Sequence, residues 1–439
     1  MKNFLCLFLF FIQSFKNLYS QTLTFPFSRY YPLKFNETNF FLNYENNIIY
    51  TSLKIGTPPV EIIAQIKMTQ YSLCIRNDSI FNYKSSSTYR ENGKEFSMYN
   101  LDYYLALPSN ESFIIGKEKK KINDVKFLLT KTSYYDLDGI IGLFIHQNDY
   151  RVFGHGFISQ LKSKNLINQE VFFFNYDENK EDGELIIGDY PHSLEKFKNI
   201  YPEEQREDIG IHIPSLDIDY EIFFRSTFWN GKEIESLIVG KIYIETGIII
   251  GTELFKKAVN ESFFESHYKN KKCVEKGEKL LNSDYITIVC DDYDELDISK
   301  FPVINFYNSD TNYNLTLTYE DIFIKKNGKI YFMIIFKKKP TRKEWILGDI
   351  FLKRNMIAFN MDKRTMTIYD KNKVKKKDVI INDKSILTYI IIISVAGAII
   401  IFLIGFIVYK FVIKPRTKKA YELKEDYEYI NQEQNQIND

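Results

Sequence analysis

The chain has 439 residues, of which 45% are hydrophobic and 26% are charged, so its composition is that of a folded protein with a sizeable core. Its 58 Lys and Arg residues against 57 Asp and Glu residues leave a formal charge of +1, which gives no global field to attract nucleic acid. Four cysteines are too few for a disulfide scaffold, and the five histidines form no zinc-hydrolase motif. We therefore predict no metal, no cofactor and no nucleic-acid partner.

An apolar stretch opens the chain. Met1–Ile12 has one Lys and then a run of about nine apolar residues, which is too short for a membrane span of ~20 residues. The polar residues that follow end on the small residue Ser20, and this order indicates a signal peptide over residues 1–20. An amphipathic start to the fold is the alternative interpretation.

A second apolar stretch, Ile386–Tyr409, is uncharged over 24 residues and predicts a transmembrane helix at 386–409. Basic residues follow it, so residues 410–439 are predicted to be a cytosolic tail. With the signal peptide, this predicts a single-pass type I membrane protein whose body is luminal, in the secretory pathway, a vacuole or a lysosome-like organelle, or extracellular. The body carries five N-x-S/T sequons, which predict glycosylation at Asn36, Asn77, Asn110, Asn260 and Asn314.

Between these two stretches the pattern is mainly β. Short apolar runs bounded by turn residues predict strands, at Ile48–Ile55, Glu61–Ile66, Lys126–Leu129, Val171–Phe174, Leu185–Ile187, Ile242–Ile244, Ile286–Val289 and Ile330–Phe336. Only Gly156–Asn168 and Thr252–Lys269 are patterned as helices of any length.

The strand-and-turn units occur twice. An apolar strand enters a tight turn at Lys67-Met68-Thr69 in the first half and at Glu245-Thr246-Gly247 in the second half. Each half then closes with a strand and a Gly turn, DGIIGL at 138–143 and WILGD at 345–349. Such a repeat predicts two similar lobes whose turns face each other.

The sequence here resembles the pepsin-like aspartic peptidases, from about Ile49 to Tyr369. Six segments carry the resemblance in the order that the family has them: IGTPP (55–59), YKSSSTY (83–89), DGIIGL (138–143), FISQLKSKNLINQEVFFF (157–174), GELIIGD (183–189) and WILGDIFLKRNMIAFN (345–360). The resemblance implies a mainly β, two-lobed double β-barrel with a central cleft that takes a peptide or protein segment. The lobes would be residues 49–200 and 201–370, and we expect a monomer.

The family also suggests roles for other parts of the chain. Residues 21–48 lie where the family has a propeptide, and an N-terminal strand packed across the lobes is an equal alternative. Cys273 and Cys290 match a disulfide that is frequent in the second lobe of the family, and Tyr99 fits the Tyr of its flap. The four residues that follow Tyr99, at 100–103, contain no Gly, although a tight flap hairpin would favour one.

The catalytic positions of the family are substituted. Its members place one Asp in each lobe, in Asp-Thr-Gly or Asp-Ser-Gly, and the two carboxylates share a proton while one of them activates water. By position the two Asp fall on Lys67 and Glu245, and neither motif occurs in the chain. We expect Lys67 and Glu245 to form an ion pair, which leaves no shared proton and no ready base for water.

Three functions remain open at this point. The first is an inactive or impaired membrane-anchored homologue of these peptidases that binds peptides. The second is an active aspartic endopeptidase, as family membership implies, and the third is a structural surface protein whose cleft is filled. Because fold-level analogy is a weak reason to assign activity, the substituted positions favour the first.

Overall fold

The computed structural model describes residues 21–36, 39–77, 80–98, 104–130, 137–144, 156–177, 181–211, 220–280, 283–293, 296–339 and 343–369. Strands dominate this part of the chain, which confirms a mainly β protein. They form a central antiparallel sheet and two larger groups, one built from the first half of the chain and one from the second half. We call these groups the first lobe and the second lobe.

The central sheet takes strands from both halves of the sequence. Its order is β12-β24-β23-β10-β11-β1, with β1 at Leu23–Tyr30, β10 at Val171–Tyr176, β11 at Gly183–Ile187, β12 at Arg206–Gly210, β23 at Ile357–Asn360 and β24 at Thr365–Tyr369. Polar and apolar residues do not alternate at the start of β10, where four apolar residues follow one another, because both faces of the strand are covered. Phe172 and Phe174 face the main core, whereas Val171 and Phe173 face a smaller cluster around Tyr190 and Phe197.

The first lobe is joined to the central sheet, since β1 also pairs with β2. Its strands are β2 (Ile48–Ile55), β3 (Val60–Lys67), β4 (Cys74–Arg76), β5 (Arg90–Glu91), β6 (Phe96–Met98), β7 (Tyr104–Ile115), β8 (Lys120–Thr130) and β9 (Gly139–Gly142). Most neighbours are antiparallel, but β4 runs parallel to β8, and β3 runs parallel to β9. The pair of β3 and β9 places the turn after β3 beside the turn after β9.

The second lobe repeats that arrangement. Its strands are β13 (Tyr220–Trp229), β14 (Lys232–Ile242), β15 (Ile249–Gly251), β16 (Cys273–Leu280), β17 (Ser283–Asp291), β18 (Ile304–Asn308), β19 (Tyr313–Leu317), β20 (Phe323–Lys326), β21 (Lys329–Lys337) and β22 (Glu344–Leu347). Here β15 runs parallel to β21, and β14 and β22 form the parallel pair that corresponds to β3 and β9. The segments that the sequence predicted to correspond, before Lys67 and before Glu245, therefore enter equivalent pairs.

The helices are short. They are α1 (Phe40–Glu45), α2 (Phe157–Ser163), α3 (Glu253–Val259), α4 (Glu265–Lys269), α5 (Tyr319–Ile322) and α6 (Asp349–Arg354). The segment predicted as one helix at Thr252–Lys269 is α3 and α4 joined by a π-helical turn at Asn260–Phe264. Thr252 begins it as the N-cap, because its hydroxyl accepts a hydrogen bond from the Phe255 N–H at 3.3 Å. The pattern missed α1 and α6 because each has only six residues.

Cys273 and Cys290 form a disulfide between directly opposed residues of β16 and β17. The pairing expected from the family resemblance is therefore confirmed. Cys74 is a free, buried thiol in the described part of the chain, and burial raises its pKa to about 12. Such a thiol behaves as a small apolar side chain.

The predicted membrane and targeting segments lie outside the described residues. These are the signal peptide at 1–20, the transmembrane helix at 386–409 and the tail at 410–439. None of the helices in the described ranges is long and apolar enough to cross a membrane. The type I topology stays a prediction.

Candidate functional site

The two turns of the repeat are supported by glycines at matching positions. A Cβ added to Gly142 would lie 2.4 Å from the Gln70 carbonyl oxygen, and one added to Gly348 would lie 2.1 Å from the Ile248 carbonyl oxygen. Gln70 follows Lys67 by three residues and Ile248 follows Glu245 by three. In the repeat, these backbone contacts align Lys67 with Glu245.

The repeat is not identical in its hydrogen bonds. In the first lobe the Leu143 N–H donates to the carbonyl of Lys67 at 2.8 Å. In the second lobe the Asp349 N–H donates at 2.8 Å to the carbonyl of Thr246, one residue past Glu245. The second turn is thus held one residue further along than the first.

Glu245 contacts the other lobe through Thr69. Its Oε1 accepts two hydrogen bonds at 2.8 Å, one from the Thr69 backbone N–H and one from the Thr69 hydroxyl. Its Oε2 is buried and accepts no hydrogen bond from the described residues. Thr69, which stands where the family has Gly, therefore binds Glu245. Glu245 is the only acidic residue at the two dyad positions.

Lys67 lies at the end of β3 and is only 8% exposed. Burial lowers its pKa, and the Glu245 carboxylate opposes this by raising it, with a net shift downward. The two side chains thus interact electrostatically across the lobes. The residue after Lys67, Met68, is fully buried and fills the position of the family's Thr with an apolar side chain.

The geometry can be compared with known proteins at this point. The model of the family described as eukaryotic aspartyl protease matches residues 62–370, which include both turns and all of the second lobe. The chain belongs to this aspartyl protease family. A comparison with curated proteins finds no match to the sequence.

The second turn of this aspartyl protease family member keeps the family's Thr-Gly, and the N-terminal segment contacts it. The Gly247 N–H donates to the carbonyl of Tyr44, in α1, at 2.6 Å. A Cβ at Gly247 would lie 3.0 Å from that oxygen and 3.0 Å from the Tyr44 ring. Only Gly fits this contact without a shift of the neighbouring chain.

A buried charge cluster next to the second turn was missed in the sequence. Arg29 of β1 forms an ion pair with Asp349, the residue after Gly348, and their side chains are 2% and 0% exposed. Lys353, one turn further along α6, lies 3.5 Å from Asp349 Oδ2. No sequence signal pairs Arg29 with Asp349, because 320 residues separate them.

The cluster sets the charges of its members. Burial lowers the pKa of Arg29, but Asp349 and the nearby tyrosines raise it by more, so this guanidinium stays charged. For Lys353 burial is the larger effect, and its pKa is lowered although Asp349 raises it. Strand β1 is therefore tied ionically to α6, which follows the second closing Gly turn.

The region of the predicted flap and the five predicted glycosylation sites lie away from the two turns in sequence. Tyr99 lies outside the described residues, but the strands on either side, β6 and β7, form a hairpin with Met98 opposite Tyr104. Asn36 and Asn314 are exposed, whereas Asn77 is half-buried. The amides of the other two sequons donate hydrogen bonds, Asn110 to Asp124 and Asn260 to Glu275.

No group of three or more His, Cys, Asp or Glu side chains among the described residues is arranged to hold a metal ion.

Proposed function

We propose that this member of the aspartyl protease family is a membrane-anchored homologue that binds peptide segments between its lobes without cleaving them. The observation that carries this proposal is the pair of hydrogen bonds from Thr69 to Glu245, beside Lys67. The mechanism of the family needs two carboxyl groups that share a proton, so that one acts as a base toward water. Lys67 supplies no second carboxyl group.

The environment of Glu245 also differs from that of a catalytic base. Its Oε1 accepts two hydrogen bonds from Thr69, so this oxygen is already engaged by the other lobe. The nearby Lys67 adds a positive charge when it is protonated. Glu245 is also one methylene longer than Asp, and misplacements of ~1 Å can cost about a hundredfold in rate.

Several features support the retention of a binding role. The family's two-lobed framework is present with its closing Gly turns, and the β6–β7 hairpin is built at the place of the flap. Thr246 and Gly247 keep the family's residues in the second turn. In our proposal the body lies in a lumen or outside the cell, where it meets peptides and is glycosylated at the exposed residues Asn36 and Asn314.

A peptide-capture experiment tests this function. Full-length protein in detergent micelles is mixed with a library of unmodified peptides at acidic and at neutral pH, and bound peptides are eluted and sequenced by mass spectrometry. We expect a subset of peptides to be retained uncut. Thr69→Trp, which places a bulky side chain between the turns, should reduce the retention, while the exposed first-lobe change Arg90→Gln should not. Equal retention by the unmodified protein and Thr69→Trp, or no retention at all, would contradict the proposal.

A further inference from the structure

A cavity of about 340 Å³ lies between the edge of the central sheet and strand β19 of the second lobe. Its size is within the range of ligand pockets, roughly 300–1,000 Å³. It shares no lining residue with the site around Lys67 and Glu245. The lining residues come from β19, β24, the end of α6 and the chain before β12, and they are Tyr201, Tyr313, Leu315, Thr316, Arg354, Asn355, Met356, Ile368 and Tyr369.

Aromatic rings form much of the wall. The rings of Tyr201 and Tyr369 lie 5.4 Å apart, and Tyr313 contributes a third ring from β19. Tyr369 is fixed because its hydroxyl lies 2.9 Å from Nδ1 of His192. The buried side chains of Leu315 and Ile368 add apolar surface. A planar apolar group would stack favourably in such surroundings.

The same pocket holds one cation, Arg354. Its Nε lies 3.6 Å from Asp321 Oδ2, which is longer than a hydrogen bond. That oxygen already accepts hydrogen bonds from the Thr318 N–H and hydroxyl, both at 2.8 Å. Asp321 therefore engages only one corner of the guanidinium, and within the described part of the chain the fork of its two terminal amino groups remains for a planar anion.

The backbone that carries Arg354 is held in place. The Asn355 side-chain amide donates to the carbonyl of Phe351 at 3.0 Å and to the carbonyl of Thr316, in β19, at 3.3 Å. These bonds tie the end of α6 to the opposite wall of the cavity. The backbone that carries Arg354 therefore needs no ordering when a ligand binds, and only its side chain must be immobilised.

We propose that this cavity binds a small carboxylate that carries an aromatic ring, with the ring among the tyrosines and the carboxylate on the fork of Arg354. Because Asp321 already offsets part of the charge of this guanidinium, the fork suits a singly charged carboxylate better than a phosphate dianion. The ligand is either a free aromatic acid or the C-terminal residue of a peptide, since both present the same chemistry.

The test measures binding to full-length protein in detergent micelles by isothermal titration calorimetry and saturation-transfer NMR. The probes are N-acetyl-phenylalanine, its amide, and a pentapeptide ending in Phe with a free or an amidated C-terminus. We expect both free acids, or one of them, to bind, and the matching amide to bind at least tenfold more weakly. If only N-acetyl-phenylalanine binds, the site takes free aromatic acids. If only the pentapeptide with a free C-terminus binds, the site takes peptide C-termini.

Variants separate this cavity from the space between the lobes. Arg354→Gln should weaken binding of the acid about ten- to hundredfold, because it removes charge-assisted hydrogen bonds, and should leave amide binding unchanged. Arg354→Lys keeps the charge without the fork and should give an intermediate loss; it also serves as the test if the Gln variant misfolds. Arg90→Gln, in the first lobe, is the matched control and should bind as the unmodified protein does. Acid binding that matches amide binding, or that survives Arg354→Gln and Arg354→Lys undiminished, would overturn the proposal, as would the absence of saturable binding.

Discussion

The turn at Lys67 and the turn at Glu245 occupy the same position in two copies of one structural unit, but they have diverged to different degrees. The second turn keeps an acid, Thr246 and Gly247, and its glycine donates to the N-terminal helix. The first turn has exchanged all three residues, for a buried Lys, a buried Met and a Thr that reaches across to the other lobe. In our proposal, loss of one of the two catalytic carboxyl groups removes the activity, while the fold that carries both positions persists.

The residue after each closing glycine shows the difference most clearly. In the first lobe it is Leu143 and in the second lobe it is Asp349, and both are fully buried. Asp349→Leu makes the second lobe resemble the first and removes the buried carboxylate that Arg29 and Lys353 share, so that Arg29 keeps only the half-exposed Glu181, 3.6 Å from its Nε. We expect a loss of about 3–5 kcal/mol in the free energy of unfolding, because the buried cations lose their buried counter-charge. Thermal or denaturant unfolding measures this.

Two variants control the Asp349 result. The double change Arg29→Met with Asp349→Leu should recover part of the loss, since the guanidinium is removed together with its buried partner and only Lys353 still lacks Asp349. Glu195→Gln removes an exposed partner of Lys198 and should change stability very little. A loss in Asp349→Leu no larger than that of Glu195→Gln would show that the buried pair does not hold β1 in place.

The two closing glycines provide a symmetric test. Because an added Cβ meets a backbone oxygen at 2.4 Å in one lobe and 2.1 Å in the other, neither site can accept Ala without moving the backbone. Gly142→Ala and Gly348→Ala should each cost about 3 kcal/mol in the free energy of unfolding. Gly231→Ala, where a Cβ would meet no atom within 4 Å, controls for the substitution itself, although its positive φ adds a smaller cost. A large cost at only one of the two closing glycines would show that the lobes do not share this turn.

The N-terminal helix that contacts the second turn should respond to pH. Burial raises the pKa of Glu45 to about 7, and Glu278 on β16 raises it too. A carboxyl group whose pKa is raised in the folded state stabilises that state at low pH, and the benefit is lost as the pH rises from about 4.5 through about 7. We expect the free energy of unfolding to fall by about 2 kcal/mol between about pH 5 and about pH 8.

Glu45→Gln should remove most of that pH dependence, because the amide does not titrate. Glu278, whose pKa burial also raises, and Tyr285 on β17 face the same region and remain in the variant. Glu278→Gln is therefore the matched comparison and should remove only a smaller part of the pH dependence, leaving most of it in place. An unchanged slope in Glu45→Gln would exclude Glu45 as its source.

The hydrogen bonds of the two turns predict the smallest effects. Thr69→Val removes the hydroxyl that donates to Glu245 at 2.8 Å but keeps the backbone donor, so we expect a loss of about 1 kcal/mol. Thr246→Val, the matched change in the second turn, removes a weaker acceptor, which lies 3.3 Å from the Ile248 N–H. Thr246→Val should therefore lower the free energy of unfolding by less than Thr69→Val does. A larger loss in Thr246→Val would show that the contact between the lobes stabilises the protein less than the local hydrogen bond of the second turn.

Much of this arrangement was predictable from the sequence. The repeat of strand and turn located Lys67 and Glu245, and the strand at Ile48–Ile55 was predicted with the bounds that the structure has. These features depend on local pattern and on turn residues. The strand predicted at Ile242–Ile244 ends at Ile242 instead, because the chain leaves the sheet before the second turn.

The contacts that join distant parts of the chain were not predictable. Thr69 and Glu245 are 176 residues apart, and nothing in the neighbourhood of Thr69 identifies its acceptor. The same holds for Arg29 and Asp349, and for the cavity that Arg354 shares with Tyr201 and Tyr313. Single-sequence patterns report periodicity and turns, whereas these sites depend on how whole strands are brought together.

The most direct test of the central claim measures hydrolysis itself. Unmodified protein and Glu245→Gln are incubated with a broad peptide library from acidic to neutral pH, and the products are quantified by mass spectrometry. We predict that the two proteins release no more product than a protein-free control, because Lys67 leaves Glu245 without a second carboxyl group. Cleavage by the unmodified protein that is lost in Glu245→Gln and blocked by a statine-type transition-state mimic would contradict the account and make this chain an active peptidase.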